Sequence, residues 1–153
     1  MTQTNFDTAI FSRKRVSEFT KDLTIGQLNK IPDGLNHNII WTMGHMLVSQ
    51  QLMVYRRSSL PLNIKSELLE RFKSGTAVTT SVSEEDVQYI RDKWIELIEQ
   101  TREDYENGLF KTYDSFVTKL GIVVNTIEDA LWFSTFHDGV HLGWIMEIRK
   151  LVQ

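Results

Sequence analysis

The chain has no cysteine, which excludes disulfides, thiolate zinc sites and a cysteine nucleophile. It has no apolar run near the roughly 18 to 20 residues that a transmembrane helix needs. Residues 1–7 are polar and do not resemble a signal peptide. The net charge of −3 gives no reason to expect nucleic acid, which usually binds a basic face. We therefore expect a cytoplasmic protein with one domain over residues 1–153 and no nucleic-acid or membrane partner.

Several motifs of known chemistry are also missing. The chain contains no Glu-x-x-His sequence, which argues against a di-iron carboxylate bundle. It contains no His-Glu-x-x-His sequence of the zincin proteases and no glycine-rich cradle for nucleotide phosphates. The remaining candidates for chemistry are histidines that belong to none of these motifs.

Apolar residues recur at helical spacing in four segments, at about 5–23, 39–57, 83–107 and 126–151. Asn36 or Asn38 can cap the second helix, Ser83 begins the third, and Asn125 or Thr126 caps the last. Four long helices without a clear sheet predict an all-α four-helix bundle. Up-down-up-down is the simplest order, although the long links between helices leave crossover connections open.

The links themselves carry weaker signals. Residues 24–37 predict a loop that Leu28 and Ile31 pin to the core. Residues 58–83 predict a long surface connection with a short helix at 66–72, and a segment of that length is a candidate lid. Residues 109–124 are compatible with a short extended stretch or a hairpin.

Two histidines lie four residues apart in the last helix, so both rings can reach one point in space. They lie on an inward stripe of Ala130, Phe133, Ser134, His137, His141, Trp144 and Ile148. His45 lies on an inward stripe of the second helix, with Trp41, Val48 and Leu52. All four tryptophans are predicted to lie in the core, with Trp41 and Trp144 as alternative walls of a pocket, and His37 is predicted to be solvated.

Three inward imidazoles predict a metal centre, because neutral imidazole is a common ligand of divalent metals and bundles build metal sites from facing helices. A lone core histidine is more often a hydrogen-bonded core residue than a ligand. However, burying three imidazoles without an ion costs about 1–3 kcal/mol for each unmet hydrogen-bonding group. The second ring nitrogens need partners, for which backbone carbonyls and four acids are candidates: Glu128, Asp129, Asp138 and Glu147.

Two segments, NIIWTMGHML at 38–47 and HDGVHLG at 137–143, resemble the motifs of the DinB-like superfamily, with Met46 in place of the usual leucine. The resemblance implies an up-down-down-up four-helix bundle and one divalent metal bound by His45, His137 and His141. Zn²⁺ or Ni²⁺ is favoured, and Fe²⁺, Mn²⁺ and Co²⁺ also suit such a site. Relatives include S-transferases that use the low-molecular-weight thiols bacillithiol or mycothiol, a thiol-dependent isomerase and hydrolases, and homodimers are frequent.

The resemblance therefore implies a metal-dependent thiol S-transferase or hydrolase acting on a small-molecule substrate, in a protein that forms a homodimer. An alternative is a non-catalytic bundle in which the metal is structural or the pocket only binds a ligand. A third hypothesis is a dimerisation bundle without metal.

Overall fold

The computed structural model describes residues 3–153, so Met1 and Thr2 of the predicted domain lie outside the described residues. The described chain forms six α-helices, a 3₁₀ turn at Arg56–Ser58 and two short strands. The helices are α1 (Gln3–Thr20), α2 (Ile25–Asn29), α3 (Ile39–Val54), α4 (Ser66–Phe72), α5 (Glu84–Glu106) and α6 (Ile127–Val152). The strands are β1 (Phe116–Val117) and β2 (Val123–Val124). The predicted all-α fold is confirmed.

Side-chain caps fix where the long helices begin. Asn38, rather than Asn36, accepts a hydrogen bond from the Trp41 amide at 2.8 Å and starts α3. Ser83 caps α5 in the same way, and Thr126 begins α6 with a capping box. Each cap satisfies a backbone N–H that the helix itself leaves unpaired.

The first and last helices run parallel. Contacts between them advance in the same direction along both, from Asn5 with Leu131, through Arg13 with Asp138, to Phe19 with Arg149. The contacts between α1 and α5 run oppositely, because Phe6 packs on Tyr105 whereas Arg13 packs on Trp94. Helices α1 and α6 therefore point one way and α5 the other.

Helix α3 points the same way as α5. Gln50 of α3 bonds Thr101, and Tyr55, which caps the end of α3, bonds Asp104. Thr101 and Asp104 follow in the same order along α5. The bundle is therefore up-down-down-up, as the family resemblance implied, and the simpler up-down-up-down order is wrong. One long connection, residues 55–83, runs the length of the bundle, because the helices that it joins, α3 and α5, point the same way.

The connections at residues 24–37 and 58–83 are more structured than the sequence suggested. Residues 24–37 contain α2, whose Leu28 is buried, whereas Ile31 is 39% exposed and is not part of the buried core. The connection at 58–83 contains the predicted helix α4, but Leu68 and Phe72 of this helix are buried in the main core. This segment is therefore partly an interior element and not only a surface connection.

The ambiguous segment at 109–124 ends in an antiparallel hairpin. Phe116 pairs with Val124 and Val117 with Val123. Gly121 has a φ of +78°, which glycine adopts without a steric penalty, and it turns the chain between the strands. The hairpin tip, residues 118–121, reaches the histidine-bearing side of the bundle.

A buried ion pair connects three helices. Arg13 of α1 donates from Nε to Asp138 of α6 at 2.9 Å and from a terminal nitrogen to the Trp94 carbonyl of α5 at 2.9 Å. Arg13 and Asp138 are 0% and 1% exposed. Asp138 lies between the two histidines in sequence, so this pair fixes the rotation of α6 about its own axis.

One face of α6 is apolar and exposed. Trp132 and Trp144 are 59% and 53% exposed, so the prediction that all four tryptophans lie in the core is wrong for these two. The inward stripe of α6 contains Asp138 and Ile145 instead of Trp144. The predicted homodimer stays a prediction. Within residues 3–153 no helix combines the length and the apolar character needed to cross a bilayer.

Candidate metal centre

The three predicted histidines meet in one cluster. One ring nitrogen from each of His45, His137 and His141 lies within 4.8 Å of the others. The His45 ring centroid is 5.2 Å from that of His137 and 5.1 Å from that of His141. His137 Nε2 and His141 Nε2 are 3.1 Å apart. The antiparallel packing of α3 against α6 brings residues about ninety positions apart in the sequence to one point.

The tautomer of His45 is fixed by its surroundings. Its Nδ1 donates to the backbone carbonyl of Phe72 at 2.9 Å, so its Nε2 carries the lone pair. The Ser49 hydroxyl, one turn along α3, donates to that Nε2 at 3.2 Å. The Trp41 ring stacks on the imidazole with a centroid separation of 4.9 Å. Because Nδ1 is bonded to the Phe72 carbonyl, Nε2 is the nitrogen of His45 that can serve as a metal ligand.

The other two histidines lack the expected supports. The Nδ1 atoms of His137 and His141 are buried and have no hydrogen-bond partner within residues 3–153. None of the four acids proposed as partners plays that role, because each bonds another group: Tyr105 for Glu128, the Thr126 amide for Asp129, Arg13 for Asp138 and Lys150 for Glu147. Only the expectation of a backbone carbonyl holds, at His45.

The cluster favours neutral rings. Burial, together with smaller effects of His141, His45 and Arg13, lowers the pKa of His137 to about 3. Burial likewise lowers the pKa of His141 to about 4. Burial also lowers the pKa of His45, with contributions from the charges of His37 and Lys119, while the hydrogen bond to Phe72 opposes the change. These shifts favour the neutral form of all three rings at neutral pH, so a metal ion would not have to displace the extra proton of a charged imidazole.

These residues fit a divalent metal ion. Three neutral imidazoles from two facing helices form a donor set that suits Zn²⁺, Ni²⁺ and related ions. Two neutral rings whose Nε2 atoms face each other leave at least one buried nitrogen poorly matched in any tautomer, and a shared cation would accept both lone pairs. Within residues 3–153, no other histidine and no carboxylate joins the cluster.

Acidification is expected to destabilise the metal-free protein more than its carboxylates alone would. Unfolded histidines titrate near pH 6.5, whereas burial holds the folded pKa of His137 at about 3 and of His141 at about 4. The unfolded state therefore binds more protons, so this stability is present above about pH 6.5 and is lost as the pH falls. Urea unfolding at about pH 7.5 and about pH 5.5 measures the loss, which His137→Leu should reduce. An equal loss in wild type and variant would contradict the prediction.

Close packing against Gly44 supports the His45 ligand. A Cβ at Gly44 would lie 2.6 Å from Cγ of the Phe72 ring, which is 0% exposed. Gly44→Ala should therefore displace Phe72, whose carbonyl orients His45. We expect a destabilisation of about 1–3 kcal/mol, typical of an overpacked core. We also expect about tenfold weaker metal binding, as for the loss of an outer-sphere partner. Urea unfolding and metal titration measure the two effects.

Gly139→Ala is the matched control for this substitution. Gly139 lies within α6 between the two histidines, and a Cβ there would meet nothing within 4 Å. Because alanine favours helix over glycine, this change should stabilise the protein by about 0.5–1 kcal/mol. If Gly44→Ala behaved like Gly139→Ala, close packing of Phe72 would not be what positions His45.

Two pockets open onto the cluster from different sides. The first, here called the aromatic pocket, has a volume of about 570 Å³ and contains His45 and His141 among walls that include His37, Trp41 and Trp144. The second, here called the apolar pocket, has a volume of about 370 Å³ and contains His45 and His137. Its walls include Leu52, Met53, Phe116, Leu120 and Phe133. A small molecule can therefore approach the three rings from either pocket.

The structure adds residues that the sequence prediction missed. The His37 ring, predicted to be solvated, is half-buried and packs on Trp41 with centroids 4.0 Å apart. Ser49 follows His45 by four residues, and this spacing could have identified it. Lys119 lies in a segment without periodicity, and the Phe72 carbonyl lies at the end of the predicted helix at 66–72. No sequence signal identified either of them as part of the site.

Comparisons with known proteins agree with this architecture. A family model described as the DinB superfamily matches residues 10–145. A crystal structure described as a conserved protein from Enterococcus faecalis superposes with a TM-score of 0.68. It shares 17% sequence identity with this chain, and the match covers 99% of this chain and 96% of the other. At that identity the likeness concerns the fold alone. A search of curated proteins found no significant match.

Proposed function

The chain belongs to the DinB superfamily, and from that premise we propose that it is a metal-dependent enzyme acting on small molecules. His45, His137 and His141 would hold one divalent ion, with Zn²⁺ or Ni²⁺ favoured. The observation that carries the proposal is the convergence of three neutral imidazoles where two pockets meet. A purely structural zinc site usually has four protein ligands, and here the described residues supply three.

The activity that we propose is transfer of a low-molecular-weight thiol to an electrophile. A bound divalent ion supplies Lewis acidity, which lowers the pKa of a thiol or of water and polarises an electrophile. Transfer needs a thiol and an electrophile held close together, and each of the two pockets at the cluster can hold one of these reactants. Hydrolysis needs one organic substrate and a water molecule, so the second pocket favours transfer over hydrolysis.

The residues that line the two pockets suggest which reactant enters which pocket. The aromatic pocket also contains Asn36, Ser74 and Thr76, and these polar groups suit a polar thiol. The apolar pocket suits an electrophile with a hydrocarbon body, which Phe116, Leu120 and Phe133 can shield from water. The Phe72 carbonyl and Trp41 hold the ring of His45, which lines both pockets, in one orientation.

The test is a conjugation assay with metal-loaded protein. Purified protein carrying Zn²⁺ or Ni²⁺ is incubated with the electrophile monochlorobimane and one thiol. Bacillithiol, mycothiol and glutathione are tested in separate reactions. Conjugates are counted by mass spectrometry against a no-enzyme control. The proposal expects faster conjugation with at least one thiol, and loss of the acceleration in chelator-treated protein and in His137→Leu.

A second arm separates the alternatives. The same protein is incubated with the ester 4-nitrophenyl acetate without thiol, and ester cleavage is measured. Ester cleavage that needs the metal, without any thiol conjugation, would contradict transfer and favour a hydrolase. Stoichiometric metal binding with neither reaction would favour a non-catalytic metal-binding bundle. Absence of metal binding would contradict the enzyme proposal as a whole.

A further inference from the structure

Lys119, at the tip of the hairpin, lies between the two pockets. Its side chain lines both the aromatic and the apolar pocket, and Ser74 does the same. Lys119 Nζ donates to Ser74 Oγ at 2.9 Å, which joins the hairpin tip to the segment that follows α4. Because His45 also lines both pockets, the Lys119–Ser74 contact lies at the same junction as the histidine cluster.

The electrostatics of this junction are unbalanced. Among the described residues that line the two pockets, Lys119 is the only Lys, Arg, Asp or Glu. No ion pair involving Lys119 forms within residues 3–153. Its positive charge is near enough to His45 to help burial lower the pKa of that ring. Lys119 is therefore an exposed cation without a counter-ion, beside a site whose donors suit a second cation.

We propose that Lys119 and Ser74 form a carboxylate-binding subsite, so that the substrate is a small molecule with a carboxylate held at the junction of the two pockets. The inference rests on the proposed function in taking the bound molecule to be a substrate. Lysine has three N–H donors, so Lys119 can keep its bond to Ser74 and donate to an anion as well. The Ser74 hydroxyl accepts from Lys119 and can donate its own hydrogen to the same anion.

Charge explains why an anion fits here better than a neutral group. An ammonium and a divalent ion in neighbouring positions repel each other, and a carboxylate between them lowers that repulsion. The single ammonium of Lys119, with the Ser74 hydroxyl beside it, matches one negative charge. Charge-assisted hydrogen bonds are also stronger than neutral ones, so the subsite should discriminate by charge rather than by shape.

The experiment compares two ligands of nearly the same shape. Benzoate and benzamide are titrated by calorimetry into the full-length protein, first metal-free and then loaded with Zn²⁺. The wild type should bind benzoate about tenfold more tightly than benzamide in both forms, the gain of one charge-assisted hydrogen bond. Lys119→Met, which keeps most of the side-chain stem, should lose that preference in the metal-free form and bind benzamide as before.

Lys111→Met is the matched control, because Lys111 is exposed, lies in the same connection and lines neither pocket. It makes the same change in net charge and should keep the benzoate preference. Equal binding of the two ligands to wild type would overturn the proposal. So would a preference that survives in Lys119→Met, or one that Lys111→Met removes equally.

Failure of this inference can be told apart from failure of the proposed function. The charge preference is measured in metal-free protein without turnover, so it can hold even where no thiol conjugate forms. Conjugation without a charge preference would leave the transferase standing and remove the carboxylate subsite.

Discussion

Replacing His137 by leucine is expected to weaken Zn²⁺ or Ni²⁺ binding by more than about 100-fold. Loss of an outer partner of a ligand already costs about 10–100-fold, and this change removes a ligand itself. Leucine suits the position because His137 faces Phe133, Leu52 and Met53 in the apolar pocket. Competition against a chromogenic chelator measures the affinity, and circular dichroism checks that the variant is folded.

The same substitution should cost the metal-free protein little or no stability. The Nδ1 of His137 is buried without a partner, and removing such a group relieves an unmet hydrogen bond. A buried group that is unfavourable for folding is typical of a functional site. A large loss of metal affinity with little or no loss of stability distinguishes a ligand from an ordinary core residue.

His37→Gln is the matched control for the ligand experiment. His37 lines the aromatic pocket and packs on Trp41, but it does not belong to the three-nitrogen cluster. Its replacement should change metal affinity less than about threefold, well below the effect of losing an outer partner. If His37→Gln weakened binding as much as His137→Leu, the proposed ligand set would be wrong.

Asp138→Ala is expected to destabilise the protein by about 3–5 kcal/mol, since it leaves a buried guanidinium without its carboxylate. Arg13 and Asp138 are almost fully buried and join α1 to α6. Burial raises the pKa of Asp138, and the Arg13 guanidinium opposes that rise. Urea unfolding of the metal-free protein measures the change in free energy.

Two controls test whether the ion pair is responsible. Glu147→Ala removes one partner of an exposed pair with Lys150 on the same helix, and the unfolding midpoint should stay unchanged within error. The double variant Arg13→Met, Asp138→Leu replaces both charges by hydrocarbon and should be more stable than Asp138→Ala alone. A double variant as unstable as the sum of its single substitutions would show that the two residues act independently.

Features encoded locally were predictable. The helix at 66–72, the caps Asn38, Ser83 and Thr126, and the inward positions of His45, His137 and His141 follow from periodicity and capping chemistry alone. These signals lie within a few turns of one helix, so a single sequence contains them. The helix order required the family resemblance, because nothing in the link lengths alone distinguishes a crossover from a simple turn.

Features that depend on distant partners were not predictable. Asp138 was proposed to support a histidine, but its partner Arg13 is 125 residues away. Trp144 has the spacing of the inward stripe, yet the width of the buried face depends on how α6 rotates against α1 and α3. Lys119 enters the site only because a hairpin without periodicity folds across its opening.

The parallel pairing of α1 with α6 also constrains how the chain reaches its native state. The two helices touch along their length although more than a hundred residues separate them, and such non-local contacts slow folding because a large loop must close first. During synthesis on the ribosome, α1 cannot reach its partner until α6 has been translated. The part of α1 that packs on α6 must therefore remain uncovered until then, and chaperones that bind nascent chains would find a target there.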